Sequence, residues 1–273
     1  MSDFLNMSAV EISEGIKTKK FKATQVMESF LGQVSALDSN LNAFISINEK
    51  AMDEAAEIDA QIEKGIELGG LAGVPVAIKD MLCKEGTKTT AGSKMLENFV
   101  APYSATIVKK LESAGAVVIG KCNQDEFAMG SSNETSYFGH CKNPWNPEYV
   151  PGGSSGGSAV AVAARMAPIS IGTDTGGSIR QRASFCGVVG VKPTYGRVSR
   201  YGVVAFASSL DQAGPFSQSV ADSARVLETI SGYDGFDSTT SQKEVPSWSG
   251  ELDTLNTKGL KVGLPKELSL IHI

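Results

Sequence analysis

Two short segments rich in glycine and serine carry residue types that could do chemistry. Residues 151–157 read PGGSSGG, and residues 172–178 read GTDTGGS. A serine hydroxyl in such a segment becomes a nucleophile when a neighbouring base takes its proton. A flexible linker is the alternative that composition alone favours. A phosphate-binding loop is a second alternative, but neither segment has the lysine of a P-loop or a G-x-G-x-x-G run.

The base that such a serine needs is commonly a histidine. The sequence has only 2 histidines, His140 and His272. Lys79, which follows a short apolar run, is the candidate for a lysine base. To act near neutral pH, a lysine needs its pKa lowered by roughly 3 units, which burial can achieve. A solvated surface charge would be the simpler interpretation of Lys79 alone, but the two serine segments favour the base.

The elements around the serine segments are predicted to bring them to one edge of a sheet. A helix over residues 155–166 would be roughly 18 Å long. A strand over residues 169–174 would return roughly 20 Å. The helix start near Ser154 and the strand end near Ser178 therefore lie at the same edge, where ligands bind in open α/β sheets. The apolar run before Lys79 predicts another buried strand, whose carboxyl end can share that edge.

Helical patterns and short apolar runs alternate along the rest of the chain. The spacing predicts helices over 23–37, ended by residues 38–40, and over 49–63 and 105–114, and strands over 116–119 and 260–265. Such alternation implies an α/β fold with a largely parallel central mixed sheet covered by helices on both faces. We expect a helical amino-terminal part, 1–67, and a core over 68–267.

Composition limits the classes of function. The net charge of -5 argues against a chain that grips nucleic acid by itself. No apolar run approaches the roughly 20 residues that span a bilayer, and no signal peptide is evident, so a cytoplasmic location is expected. The 4 cysteines form no CxxC pair, which predicts reduced thiols. His140 and Cys141 lack further ligands at zinc-finger spacing, so neither a metal nor a cofactor is expected in this chain.

Several longer motifs make the chain similar to a known family. Three segments, 153–159 (GSSGGSA), 174–179 (DTGGSI) and 185–194 (FCGVVGVKPT), resemble the amidase signature. Three others resemble one branch of that family, the A subunits of glutamyl-tRNA(Gln)/aspartyl-tRNA(Asn) amidotransferases: 125–132 (DEFAMGSS), 142–146 (KNPWN) and 199–211 (SRYGVVAFASSLD). The resemblance extends over residues 7–267 and implies the amidase-signature fold.

The resemblance also implies roles for particular residues. Lys79, Ser154 and Ser178 match the positions of a Ser-Ser-Lys triad. In this triad Ser178 attacks the amide to form an acyl ester, and Ser154, which follows a cis peptide bond, relays protons to Lys79. The resemblance implies an oxyanion hole formed by the backbone N–H groups of Thr175, Gly176 and Gly177. It also implies that Met129, Gly130 and Ser131 contact the substrate.

The family branch implies a substrate and partners. Glutamine would be hydrolysed here, and the ammonia would pass to a B subunit that uses ATP and Mg²⁺ to amidate the tRNA-bound Glu or Asp. A small C subunit would hold the pair together, and no membrane is involved. Two alternatives stay open: a stand-alone amidase for another small carboxamide, and an inactive fragment or binding module whose Gly/Ser loops are only turns.

The sequence departs from the family pattern at three places. Arg182 and His140 stand where proline is usual, and one base change could account for the arginine. A genuine arginine is expected to disturb the loop behind the nucleophile. Residues 268–273 (LSLIHI) do not continue the pattern, and their back-translation resembles a transposase library adapter. We therefore expect one partial amidase domain over 1–267, with a fold incomplete at the carboxyl end, and a non-native tail over 268–273.

Overall fold

The computed structural model describes residues 3–254 and 256–263. Six strands are present: β1 (Phe44–Ile47), β2 (Pro75–Lys79), β3 (Val117–Cys122), β4 (Ile169–Asp174), β5 (Val189–Gly190) and β6 (Gln212–Ser217). They form one mixed sheet in the order β1-β3-β2-β4-β6-β5. The strand predicted before Lys79 is therefore β2, which lies between two other strands at the centre of the sheet.

Parallel pairing is concentrated at the centre of the sheet. β2 pairs in parallel with both β3 and β4, while β1, β6 and β5 each pair antiparallel with a neighbour. Because β5 is antiparallel to β6 and β6 to β4, four of the six strands run in one direction. The predicted α/β mixed sheet is confirmed, with its parallel strands next to the predicted site.

The helices surround this sheet. They are α1 (Ala9–Lys17), α2 (Ala23–Leu41), α3 (Ala51–Glu63), α4 (Thr106–Ser113), α5 (Gly156–Ala163), α6 (Arg180–Cys186), α7 (Val220–Ile230) and α8 (Trp248–Glu251). None of the helices in the described ranges is both long and apolar enough to cross a membrane. The predicted helices are present, with ends shifted by a few residues.

The predicted end of α2 at residues 38–40 is wrong. The helix continues to Leu41 and ends where Asn42 adopts a left-handed conformation with a φ of 52°. The Asp38 carboxylate accepts hydrogen bonds from the N–H groups of Ala43 at 2.7 Å and Phe44 at 3.3 Å. Asp38, although a poor helix former in isolation, therefore stabilises the segment that follows this helix.

Helices cover both faces of the sheet, as predicted. On one face, Ser170 of β4 donates a hydrogen bond to the Ser158 carbonyl of α5 at 2.7 Å. On the other face, the Ser217 hydroxyl of β6 lies 2.7 Å from that of Ser223 in α7. Ser217 pairs with Ile169, whose side chain points away from that of Ser170 because successive residues of a strand alternate between faces.

The glycine-rich segment 151–157 is packed structure and not a flexible linker. All seven of its residues are buried. A Cβ on Gly157 would lie 2.3 Å from the Ala43 carbonyl oxygen, and one on Gly156 would lie 2.5 Å from Asn133 Oδ1. The first turn of α5 therefore requires glycine, because neighbouring chain occupies the space that a side chain would need.

The carboxyl end differs from the sequence prediction where it is described. Residues 260–263 form no strand, and Leu260 and Val262 are 64% and 83% exposed. This segment pairs with no strand of the sheet among the described residues, and an apolar strand is stable only when a neighbour satisfies its backbone. Residues 264–273 lie outside the described residues, so the predicted tail and the domain limit at residue 267 stay predictions.

Candidate active site

Lys79 is the last residue of β2, and its side chain is completely buried. Its Nζ donates hydrogen bonds to Ser154 Oγ at 2.8 Å and to Thr173 Oγ1 at 2.9 Å. In the part of the chain that the structure describes, no carboxylate lies within ion-pair distance of this amine. A buried lysine whose partners are two hydroxyl groups is strongly disfavoured in its charged form.

Charged groups around Lys79 modify this effect of burial. Burial lowers the pKa of Lys79 well below its ordinary value, and the Arg182 guanidinium lowers it further. The carboxylates of Asp125, Asp174 and Asp211 act in the opposite direction with smaller effect. The balance favours a neutral amine, which has a lone pair and can accept a proton from the adjacent hydroxyl.

The Ser154 loop is held in place by Asp125. The Gly153–Ser154 peptide bond is cis, as the resemblance implies. The Ser154 carbonyl accepts a hydrogen bond from the Asp125 N–H at 3.2 Å. The Asp125 carboxylate in turn accepts from the N–H of Asn133 at 3.0 Å and from the Thr135 hydroxyl at 2.9 Å. A Cβ on Gly153 would lie 1.7 Å from Asp125 Oδ2, so glycine is required there.

The loop that contains Ser178 is organised by Asp174, the last residue of β4. The Asp174 carboxylate accepts hydrogen bonds from the N–H groups of Gly177 at 2.7 Å and Ile179 at 3.1 Å, and from the Arg180 guanidinium at 3.0 Å. Burial alone would raise the pKa of Asp174, but these hydrogen bonds outweigh it and lower the pKa to about 2. Ser178 is thereby fixed at the carboxyl edge of the sheet, with 9% of its surface exposed.

Only some of the backbone N–H groups next to Ser178 donate hydrogen bonds within the protein. The N–H groups of Thr175, Gly176 and Ser178 have no protein acceptor within the described residues. The Gly177 N–H, by contrast, donates to the Asp174 carboxylate. Three N–H groups were predicted to form the oxyanion hole. Those of Thr175 and Gly176 have no acceptor among the described residues, whereas that of Gly177 already donates to the Asp174 carboxylate.

Known proteins with similar sequences indicate the family of this chain. A sequence profile described as Amidase matches residues 25–273. The chain is 60% identical over 265 residues to the A subunit of glutamyl-tRNA(Gln) amidotransferase from Bdellovibrio bacteriovorus, and the match covers 97% of this chain. The chain belongs to the amidase family. It spans about half the length of this relative, 54%.

Solved structures extend the comparison of this chain to its fold. The A subunit of glutamyl-tRNA(Gln) amidotransferase from Thermotoga maritima is 45% identical with a TM-score of 0.77, and the match covers 89% of this chain and 51% of that one. The native peptide amidase of Stenotrophomonas maltophilia is 38% identical with a TM-score of 0.87, and the match covers 91% and 53%. The sheet and its helices are thus those of the amidase family.

The structure brings two of the three predicted catalytic residues into contact. Lys79 and Ser154 are hydrogen-bonded, whereas Ser178 Oγ makes no hydrogen bond with a described residue. The predicted substrate residues 129–131 are exposed. A Cβ on Gly130 would be 2.3 Å from Asp125 Cγ, so this loop packs on the residue that holds Ser154.

Several polar residues of the site were not identified from the sequence. Asp125 and Asp174 stood inside the quoted motifs but received no role, and Thr173 precedes one of them. Asp211, which accepts a hydrogen bond from the Thr175 hydroxyl, ended another quoted motif. Arg182 was noted only as a departure. The sequence signal that could have identified them is an aspartate in or next to a glycine-rich segment. A carboxylate that is buried there must accept hydrogen bonds from the loop around it.

The remaining candidates do not contribute to this site. His140 is exposed, and the structure records only its carbonyl in a hydrogen bond, accepted from Asn42. All four cysteines are free and buried, and burial raises the pKa of Cys186 to about 12. Over residues 3–254 and 256–263, no three acidic, histidine or cysteine side chains converge in a way that could hold a metal ion.

Proposed function

We propose that this chain carries the glutaminase centre of an aminoacyl-tRNA amidotransferase, with Ser178 as nucleophile, Ser154 as proton relay and Lys79 as base. The observation that carries the proposal is the 2.8 Å contact between Lys79 Nζ and Ser154 Oγ, made by a lysine with no surface exposure. The two relatives named above as glutamyl-tRNA(Gln) amidotransferases support the choice of glutamine as substrate. By this similarity the chain would be the A subunit of such an enzyme.

The proposed first step forms an ester. Ser178 Oγ attacks the side-chain amide carbon of glutamine, and its proton passes to Ser154, whose own proton passes to the neutral Lys79 amine. The reaction requires Ser178 Oγ to reach Ser154 Oγ once substrate is bound, and such contacts often tighten only in the complex. The negative charge on the amide oxygen would be stabilised by the N–H groups of Thr175 and Gly176.

The proposed second step releases the products. The Lys79 ammonium returns a proton through Ser154 to the amide nitrogen, so the C–N bond breaks and ammonia leaves. Water then attacks the ester by the same relay, which yields glutamate and restores the Ser178 hydroxyl. The ammonia would pass to a B subunit that, with ATP and Mg²⁺, amidates Glu-tRNA(Gln) or Asp-tRNA(Asn), and a C subunit would join the two. We infer a cytoplasmic complex.

A stand-alone amidase acting on another small carboxamide is the second candidate. The structural similarity to the peptide amidase, at a TM-score of 0.87, favours it as an alternative. The two candidates share the chemistry of Ser178 and differ in substrate and partners. Glutamine hydrolysis that depends on B and C subunits supports the first candidate, and hydrolysis of simple amides without them supports the second.

Trapping the ester tests the shared chemistry. The intact protein is incubated with glutamine and hydroxylamine, because hydroxylamine intercepts an acyl ester and yields glutamyl hydroxamate. We expect hydroxamate from the wild type and none from Ser178→Ala or Lys79→Ala. Ser158→Ala, which removes a buried hydroxyl of α5 that donates to the Ile171 carbonyl and lies outside the triad, is the control. Hydroxamate at the wild-type rate from Ser178→Ala would contradict the proposal.

A further inference from the structure

Met81 lies two residues after the proposed base, and its side chain is 2% exposed. The Thr173 hydroxyl of β4 donates a hydrogen bond to Met81 Sδ, with an oxygen–sulfur distance of 3.2 Å. The same hydroxyl accepts a hydrogen bond from Lys79 Nζ at 2.9 Å. Thr173 therefore links the thioether to the amine, and the amine in turn contacts Ser154 Oγ at 2.8 Å.

The chemical nature of Met81 determines the direction of these hydrogen bonds. A thioether sulfur carries no proton and can only accept. The Thr173 hydroxyl has a single proton, and when this proton is directed at Met81 Sδ the oxygen can only accept from Lys79 Nζ. Thr173 then does not compete for the lone pair of the neutral amine. That lone pair is left to accept the Ser154 proton when the relay operates.

Backbone contacts fix both residues of the Met81–Thr173 pair. The Met81 carbonyl accepts a hydrogen bond from the Val204 N–H at 2.9 Å. The Thr173 N–H donates to Ser155 Oγ at 3.2 Å, and the Thr173 carbonyl accepts from the same hydroxyl at 3.0 Å. The contact between thioether and hydroxyl is therefore set by the fold, because separate segments of the chain hold each side of it.

We propose that Met81 is a positioning residue that acts through Thr173: its sulfur orients the Thr173 hydroxyl so that the Lys79 lone pair is left for Ser154. This inference rests on the proposed function, in which neutral Lys79 accepts a proton from Ser154. Without the sulfur, the Thr173 hydroxyl can turn its proton to the Lys79 lone pair, because a buried hydroxyl without an acceptor is unfavourable. The base would then be blocked in part of the molecules, and proton transfer would be slower.

The nucleophile loop is held independently of this pair. The Gly177 N–H donates to the Asp174 carboxylate, and the Gly177 carbonyl accepts from Arg182 Nη1. The arginine that was expected to disturb this loop therefore makes a contact within it. Because neither contact involves the Thr173 hydroxyl or Met81, removal of the sulfur should change the chemical step and not the binding of substrate.

The experiment measures kcat and KM for ammonia release from glutamine by the intact protein with its partner subunits. Met81→Leu keeps a similar volume without the acceptor, and it should lower kcat about 3- to 10-fold with KM unchanged. Met27→Leu makes the same change at a fully buried methionine of α2 and should leave both constants at wild-type values. Thr173→Ser keeps the hydroxyl and should keep most of the activity, whereas Thr173→Val should lose at least about 10-fold in kcat.

A double variant separates the hydrogen bond from packing. Because Met81 is proposed to act only through the Thr173 hydroxyl, Met81→Leu should change kcat by less than about twofold in the Thr173→Val background. An effect of packing would persist in that background. Denaturation shows which variants are folded. If Thr173→Val does not fold, the comparison of Met81→Leu with Met27→Leu decides, and equal kcat values in these two would contradict the proposal.

The outcomes separate this inference from the proposed function. Ammonia release that persists in Ser178→Ala would refute the proposed function and this inference with it. An inactive Ser178→Ala together with a wild-type kcat in Met81→Leu would overturn the role of Met81 alone. An equal decrease of kcat by Met81→Leu with and without Thr173→Val would also overturn it, because the effect would then not pass through the hydroxyl.

Discussion

At the residue scale, adjacent serines in one loop have different environments. Ser154 Oγ contacts the Lys79 amine, whereas Ser155 Oγ donates to the Thr173 carbonyl at 3.0 Å and accepts from the Thr173 N–H at 3.2 Å. The first hydroxyl is available for proton transfer, and the second is fully engaged with the backbone of β4. Their sequence context, Ser-Ser between glycines, does not distinguish these roles.

We predict that alanine substitution separates the two serines. Ser154→Ala should lower kcat/KM for glutamine by at least about 10³-fold, since it breaks the proposed relay. Ser155→Ala should leave kcat within a few-fold of the wild type but lower the free energy of unfolding by about 1–3 kcal/mol, because it leaves backbone groups unpaired. Steady-state kinetics and urea denaturation of the same preparations check this. An equal loss of activity in both variants would contradict the assignment.

Asp174 provides a pH-dependent prediction. Its carboxylate has a pKa of about 2 in the folded protein, below that of an unfolded aspartate. The resulting stabilisation, about 2 kcal/mol, is complete above roughly pH 4 and is lost as the pH falls towards 2. Asp174→Asn should therefore be less stable than the wild type near pH 7, and the difference should shrink to about half near pH 3.

Denaturation of both proteins at the two pH values measures this difference. Glu63→Gln is a suitable control, because the Glu63 side chain is 65% exposed and should contribute little. A stability difference between Asp174→Asn and the wild type that stays constant with pH would show that charge at position 174 is not the cause.

At the element scale, the carboxyl end of β2 is fixed by a buried ion pair. Lys121 of β3 lies 3.3 Å from Asp80, the residue after Lys79, and both side chains are almost completely buried. Lys121 Nζ also donates hydrogen bonds to the Leu82 carbonyl at 2.6 Å and to Thr89 Oγ1 at 3.0 Å. These contacts hold the turn after β2 and so determine where the Lys79 amine lies.

We predict that Lys121→Met lowers the free energy of unfolding by about 3–5 kcal/mol, because it leaves Asp80 buried without its cation. The double variant Lys121→Met/Asp80→Asn should recover part of this loss. The matched control is Lys19→Met, since Lys19 and Glu63 are also 3.3 Å apart but are 52% and 65% exposed. Its effect should be below about 1 kcal/mol. Equal losses in Lys121→Met and Lys19→Met, measured by denaturation, would contradict this account.

The sequence analysis predicted four of the helices and the central strands, but it missed the amphipathic helices α1 and α7 and three of the strands. β2 and β4 are continuous apolar runs, and both were identified. β1, β5 and β6 were not. β1 interrupts a segment predicted as helical, β5 has two residues, and β6 (QAGPFS) contains glycine and proline and shows neither an apolar run nor alternation. Tertiary pairing determines such strands, and local pattern does not.

The site was predictable to a similar extent. The motifs identified Lys79, Ser154 and Ser178 as candidates, and the matched lengths of helix and strand placed two of the three near one edge. The charged residues that modify the pKa of Lys79 could not be predicted, because Arg182 and Asp125 lie on separate elements of the chain. The hydrogen bond from the Gly177 N–H to the Asp174 carboxylate likewise depends on the turn that the chain adopts after β4.

At the scale of the whole molecule, this chain covers about half the length of its relatives, 54% for the Bdellovibrio protein. The described half contains the candidates for base, relay serine and nucleophile at one edge of one sheet. Recognition of glutamine, delivery of ammonia and contact with B and C subunits are properties proposed for the intact protein. They are therefore tested in the assembled complex.

The most direct test of the central claim is amidation of Glu-tRNA(Gln) by the intact protein with its B and C subunits and ATP. Glutamine or ammonium chloride serves as the nitrogen donor for the wild type and for Ser178→Ala. We predict that the variant loses amidation with glutamine and retains it with ammonium, because only the supply of ammonia requires Ser178. Wild-type amidation with glutamine by Ser178→Ala would contradict the claim.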